Sequence, residues 1–282
     1  MMAVDGFRPE IWSAKILVAL RNKLVYASLC NRDHENEIQS AGDTVHITSI
    51  GEVATRAYTE LTSISWDEVA DTQVDLLIDQ KRYFAIKVDD VEKKQALPFL
   101  DEATRSAAYG LADNADAVVS AAMYAAVNGT GNDYGAFVAD KSDKNAYELL
   151  VELSTILDRD NVPDDGRWVV VPPEIYAVLK LDNRFIDASA SADAGTALRN
   201  GFIGMAAGFT VHKSNQTPDP TSGTYAVLAG HPIATAYADQ ILETEAIRLQ
   251  DFFGDGVRGL HVFGRKVVRP EALAMASVTV QA

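Results

Sequence analysis

Apolar and polar side chains alternate with period two over an unusually long stretch of this chain. Val74, Leu76, Ile78, Phe84, Ile86 and Val88 share one parity, and Gln73, Asp75, Asp79, Lys81, Lys87 and Asp89 share the other. The pattern predicts one strand from Thr72 to Val88, which at about 3.3 Å per residue would span roughly 50 Å and project from the body. A second alternating run, Asp43 to Val53, sets Val45, Ile47 and Val53 against Thr44, His46 and Thr48, so the two runs predict an extended hairpin. Between them lies ATRAYTELTSISWDEVAD, where Arg56, Tyr58, Trp66, Asp67 and Glu68 are residue types suited to docking on another surface. An ordinary folded-back loop is the plainer alternative.

The period then changes from 2 to 3.6. Leu100, Ala103, Ala107, Leu111, Ala115, Val118, Ala122 and Ala126 recur every three or four residues, with Pro98 in the first turn and Asn128–Gly129 as a stop. This predicts a rod of roughly 45 Å from Pro98 to Asn128, at 1.5 Å per residue. Because much of its stripe is alanine, other elements can approach its backbone closely, and it reads as a spine under a sheet.

Shorter elements flank this passage. Pro9, Ile11, Trp12, Ile16, Leu17 and Leu20 predict a short N-terminal amphipathic helix whose Trp12 needs a partner. Residues Gly129 to Asp143, rich in Gly, Asn and Asp, mark a boundary. A helix follows through Ala146, Leu149, Leu150, Leu153, Ile156 and Leu157, with Ser142 or Asp143 placed to cap it. Next come an apolar strand at Trp168–Val171, a helix from Pro173 to Leu181, a small-residue acidic loop at Asp187–Gly195, and strands at Phe209–Lys213 and Tyr225–Ala229. The C-terminal region returns to β character at Ile241–Leu249, Val257–Val268 and Leu273–Val280. A spine helix needs a sheet over its face, so these last strands are expected to complete the domain begun at residue 89, with the middle unit as an insertion.

Composition narrows the function classes. At 282 residues and 48% hydrophobic the chain buries a real core in one large domain or two intimately connected ones. Its 25 Lys and Arg against 40 Asp and Glu give a formal charge of −15. Such a chain is a poor default binder of nucleic acid, although an acidic surface would avoid sticking to nearby DNA. Cys30 is the single cysteine, which excludes an intramolecular disulfide or a multi-cysteine metal site and reads as a small buried hydrophobe. The N-terminus lacks a signal-peptide pattern, no apolar run reaches the roughly 20 residues that span a bilayer, and folding in cytoplasm is expected.

Candidate chemistry is sparse. No GxxxxGK[ST], GxSxG, HExxH or GxGxxG occurs; His34–Glu35 opens a zinc-protease pattern that Ile38 breaks. Asp158, Asp160, Asp164 and Asp165 cluster at a turn, but Val162 stands where a calcium loop needs Asp or Asn, so a solvated turn is expected. His46, His212, His231 and His261 are isolated. No catalytic, cofactor or metal site is expected, and the chain does not read as an enzyme. Among the basic residues near the C-terminus, Arg258, Arg265, Lys266 and Arg269, balancing an acidic partner surface is a plainer role than phosphate binding.

In order, these elements resemble the major capsid proteins of tailed bacteriophages with the Hong Kong 97-type fold. The likeness covers nearly the whole chain and is carried locally by DFFGDGVRGLHVFGRKVVRPEALAMASVTV, RWVVVPPEIYAVLKLDNRFID and TYAVLAGHPIATAYADQI. It implies an α+β fold with an N-terminal arm (1–40), an extended E-loop hairpin (41–88), a peripheral domain with a long spine helix (89–141), an inserted axial domain (142–239) and peripheral return strands (240–282).

The resemblance also implies a structural role: self-assembly as pentamers and hexamers into the icosahedral head that encloses double-stranded phage DNA without sequence-specific binding. The location would be the virion, with assembly in the host bacterial cytoplasm. The E-loop would lie across one neighbour and the N-arm would latch another, which places Trp12, Arg56, Tyr58, Trp66, Asp67 and Glu68 at contacts between subunits. Arg258, Arg265 and Lys266 would meet neighbours at local three-fold axes. No room exists before the arm for a helical scaffolding domain of about 100 residues, so a portal and a separate scaffolding protein are expected partners, and a decoration protein is a further candidate. No lysine and asparagine match the covalent cross-links of some members, so non-covalent joining is expected. Two alternatives stay open at this point, an encapsulin-type nanocompartment shell and an acidic cytoplasmic α/β enzyme with an unrecognised site.

Overall fold

The structure, a computed structural model, describes residues 24–33, 44–50, 71–89, 97–141, 143, 145–182, 204–248 and 254–281. The period-two region forms strands, but not one strand. β1 (Thr44–Ile50) pairs antiparallel with β2 (Asp71–Leu77) in a two-stranded sheet. β3 (Gln80–Asp89) belongs to a different sheet. The expected continuous strand from Thr72 to Val88 is therefore broken at Ile78 and Asp79. A two-residue break leaves parity intact, so the faces are still read correctly: Leu76 and Ile78 are buried, Phe84 and Ile86 half-buried, and Gln73, Asp75, Asp79, Lys81 and Lys87 exposed.

The spine helix α1 spans Leu97–Val127, within one residue of the sequence expectation at each end. Gly129 at φ 75° supplies the left-handed residue after its last turn. Its buried face differs from the expected stripe. Ala108, Leu111, Ala112, Ala115, Val119, Met123 and Val127 are buried, whereas Ala107, Val118, Ala122 and Ala126 are half-buried flanks. Two polar residues, Asp116 and Ser120, also lie on the buried side.

After α1 the chain forms β4 (Asp133–Asp140), which the sequence reading treated as a boundary loop. Then come α2 (Ala146–Arg159), β5 (Trp168–Val171), α3 (Pro173–Leu181), β6 (Met205–Ala206), β7 (Phe209–Lys213), β8 (Thr224–Gly230), β9 (Thr235–Arg248), β10 (Gly254–Val267) and β11 (Leu273–Gln281). The expected caps of α2, Ser142 and Asp143, are not at its N-cap position. Asn145 is, and its side chain serves β4 instead: Oδ1 accepts from Asp140 N–H at 2.9 Å and Nδ2 donates to Val138 O at 2.9 Å.

β3, β10 and β9 form a three-stranded sheet, and β4-β11-β8-β5-β7-β6 form a six-stranded one. Sheet membership cuts across the boundaries expected at 141 and 240. β11, expected to return beside β9 and β10, sits between β4 (parallel) and β8 (antiparallel), and β9 itself begins at Thr235. Spine helix α1 packs against β10, β11 and β8, and α2 against β11 and β4. The helix is thus covered within its own chain by C-terminal strands, as its alanine stripe predicts. One large core runs through these layers around Trp168, Phe209, Phe263, Tyr237 and Tyr26.

Candidate assembly interface

Where β2 passes into β3, the chain crosses β10. Leu76 and Ile78 are buried there with Ala236, Ala238 and Val262, a small apolar cluster separate from the main core. The crossing depends on Gly264 of β10, since a Cβ at that position would lie 2.6 Å from Leu77 O and 3.1 Å from Ile78 Cα. Beyond this root, β1 and β2 pair only with each other among the described residues. Leu77 is 56% exposed. A lone two-stranded hairpin is marginal in water, so this appendage needs a second surface.

The polar groups at the root pair within the chain. Arg265 Nη1 donates to Asp79 Oδ1 at 2.9 Å, and His46 Nδ1 lies 2.7 Å from Asp75 Oδ1 across the β1–β2 ladder. Asp75, Leu77, Asp79, Arg265, Lys266 and the α1 alanines Ala122, Ala125 and Ala126 line a groove of about 460 Å³ beside the root. Arg258 stands apart, seven residues along β10 and so about 23 Å away, where it pairs with Glu245 of β9 through Nε at 2.9 Å. Of the interface residues expected from sequence, Arg265 and Lys266 are therefore brought together and Arg258 is not. Trp12, Arg56, Tyr58, Trp66, Asp67 and Glu68 lie outside the described residues.

A second anchoring region was not read from the sequence. Residues 24–33 lie on the spine helix and on β9. Asp116 Oδ2 accepts from Val25 N–H at 2.7 Å and Oδ1 accepts from Ala27 N–H at 3.0 Å. Burial pushes the Asp116 carboxyl up to about 6, against the lowering effect of those N–H groups. Asn31 bridges to Ala236, and Arg32 Nη2 donates to the buried Asp239 at 3.0 Å while its guanidinium lies 5.2 Å from the Tyr237 ring centroid. The sequence signal was present: an aspartate at 116 follows Ala112 and Ala115 onto the apolar face of α1 and must be satisfied there.

Other residues singled out in the sequence have local structural roles. The aspartate turn is organised by buried Arg167, whose Nη1 donates to Asp158 at 2.7 Å, whose Nη2 lies 2.9 Å from Asp164 Oδ1, and whose Nε donates to Pro163 O at 3.0 Å. His231 caps a short turn: Nδ1 accepts from Ile233 N–H at 3.2 Å, and the other ring nitrogen donates to Asp165 O at 2.8 Å. His261 is buried, stacked 5.1 Å from Phe263 and 3.5 Å from Asp239 Oδ2. Cys30 is buried, and burial pushes its thiol up. Among the described residues no group of three or more His, Cys, Asp or Glu side chains could hold a metal ion, and no helix is long and apolar enough to cross a membrane.

A family model described as phage capsid protein matches residues 55–276, more than half of the chain. The chain belongs to the phage capsid protein family. A solved structure from Mycobacterium phage Che8 is 34% identical and superposes with a TM-score of 0.72 over 90% of each chain. The capsid of cyanophage P-SCSP1u (16% identity, TM-score 0.65, 86% of this chain and 85% of that one) has the same fold. So does the mature capsid of bacteriophage PhiM1 (15%, 0.65, 91% and 87%). No curated protein matches the chain in sequence. This phage capsid protein is thus a structural, shell-forming component of the virion with the Hong Kong 97-type α+β fold, as its order of elements implied. The appendage, whose root is covered and whose two strands pair only with each other among the described residues, and the long helix behind it, are parts of a subunit that assembles.

Proposed function

We propose that this capsid protein closes into an icosahedral head of pentamers and hexamers around double-stranded DNA. The observation that carries this reading is the β1–β2 hairpin, which departs from the sheet at Ile78–Asp79 and pairs with no third strand among the described residues. One subunit used in both five- and six-fold rings needs contacts that repeat yet adjust, and a long appendage rooted at one point supplies them. The E-loop (41–88) lies across one neighbour and the N-arm (1–40), rooted by Asp116 and Asp239 at residues 25–32, latches another. The axial part (about 142–239), to whose sheet β4 and β11 also belong, faces the capsomer centre, and the rest of the peripheral part (89–141 and 240–282) meets neighbours at local three-fold axes, where Arg258, Arg265 and Lys266 add to contacts between subunits.

With a charge of −15, the shell contains DNA without gripping it, and neighbours join without covalent bonds. A portal and a separate scaffolding protein complete the head in the host cytoplasm, and a decoration protein is a further partner. The family match favours this over the encapsulin-type and enzymatic readings. The test replaces residues 46–75 by a short Gly-Ser turn and follows assembly by sedimentation velocity. The shortened protein is expected to keep a cooperative melt and to lose shells; shells of wild-type yield would overturn the role of the hairpin.

A further inference from the structure

Among the described residues the six-stranded sheet ends in two edges, β4 and β6, and both expose apolar side chains on the same face. Register fixes that face. Ala136 is opposite Ser277 and Val138 opposite Thr279 in the parallel β4–β11 pair, Ser277 and Thr279 pair with Ala226 and Thr224 of β8, and Leu228, two residues on from Ala226, pairs with Val170 of β5. Val170 is opposite His212, which shares parity with Thr210, and Thr210 is opposite Met205. Met205 on one edge and Ala136 and Val138 on the other therefore point to one side, five strand spacings or about 24 Å apart.

Between them this face is buried, at Trp168, Val170, Leu228 and Met275. At its ends, among the described residues, it is open: Val138 is 48% exposed and Met205 70%. The β4 edge does not invite another strand, because the Asn145 side chain already occupies Val138 O and Asp140 N–H. What it offers is a row of side chains. A ring built by rotation joins two different surfaces of the same subunit, head to tail, and the two ends of this sheet are two such surfaces.

We infer that the β4 edge (Ala136, Val138) of one subunit packs against the β6 edge (Met205) of the next subunit around each pentamer and hexamer. This rests on the shell reading above and specifies which flanks meet in it. Burying these three side chains supplies apolar contact without a charge that must be desolvated, and the same pair of edges serves rings of five and six by a small change of angle.

The experiment uses the full chain carrying Val138→Cys and Met205→Cys, assembled and then treated with a bismaleimide linker shorter than the 24 Å or so between the edges, so that linkage joins different subunits. Cys30, being buried, leaves the wild type as the unlinked control. A covalent ladder that climbs to five and six subunits and stops there is expected. Assembled shells that give no ladder overturn the edge pairing and leave the shell reading standing, whereas a wild type that never assembles removes the shell reading itself. A second variant guards against misfolding. Val138→Lys is expected to keep the wild-type melt and lose rings, with recovery when Met205→Glu is added; rings from Val138→Lys at wild-type yield would also overturn the pairing.

Discussion

Gly264→Ala tests how the hairpin is joined to the body. The added methyl would meet Leu77 O at 2.6 Å, Ile78 Cα at 3.1 Å and Ile78 Cγ1 at 3.2 Å. The first contact falls about 0.8 Å short of ordinary van der Waals separation, and its partner is backbone, which cannot swing aside as a side-chain tip can. Relief requires moving the β2–β3 crossing, and with it Leu76 and Ile78, which are buried in the root cluster. Overpacking of this kind costs about 1–3 kcal/mol. For a chain of this size that lowers the melting temperature by roughly 2–4 °C per kcal/mol. Gly110→Ala is the matched control: it lies in α1 with nothing within 4 Å of the new Cβ, so removing a helical glycine should stabilise by about 0.5–1 kcal/mol. Thermal melts of the unassembled proteins read both signs, and sedimentation then reads assembly. A Gly264→Ala protein that melts within a degree of wild type and assembles normally would refute the view that the hairpin root is held by a close backbone crossing.

Three further outcomes follow from the same geometry. The Asp116 carboxyl, raised to about 6 by burial against 3.8 unfolded, binds its proton more tightly in the folded chain. Its contribution is therefore fully present below about pH 4 and is lost as pH rises through about 6, so the stability of wild type relative to Asp116→Asn should improve on acidification from pH 7 to 5 by on the order of 1 kcal/mol, read by urea unfolding; a difference that is flat with pH would contradict the assignment. Arg167→Ala removes the cation that gathers Asp158, Asp164 and Pro163 O; both carboxylates it leaves are solvent-exposed and only backbone carbonyls lose a buried donor, so it should destabilise by about 1–3 kcal/mol, whereas no measurable change would show that the turn is held by something else. Assembled shells boiled in detergent should run as a single monomer band, and ladders of linked subunits would contradict non-covalent joining.

The fold was legible in the sequence wherever a single period governs a long run. The 31 residues of α1 and the four of β5 were read almost to the residue, because alanine spacing and an apolar run stopped by two prolines leave few alternatives. The break at Ile78–Asp79 was not legible. It depends on the backbone of Gly264, remote in sequence, and a two-residue interruption preserves the alternation that the reading relied on. β4 was hidden for the opposite reason: it has apolar side chains on both faces, Phe137 and Ala139 on one and Ala136 and Val138 on the other, so no alternation marks it. The anchors of residues 25–32 escaped because Asp116 acts through backbone N–H groups, which carry no sequence signature, although an aspartate in an alanine stripe is a flag. At the groove beside the hairpin root, Arg265 and Lys266 were legible only as charges. Arg265's partner Asp79 became visible only once the strand was seen to break beside it.

The central claim is that this chain is built to be completed by copies of itself. Sedimentation velocity of the purified full-length protein across a concentration series, with negative-stain microscopy of the fastest fraction, tests it most directly. The account predicts species at five and six subunits and closed round shells in the micrographs. A chain that sediments as a folded monomer or dimer at every concentration, with no rings and no shells, would contradict it.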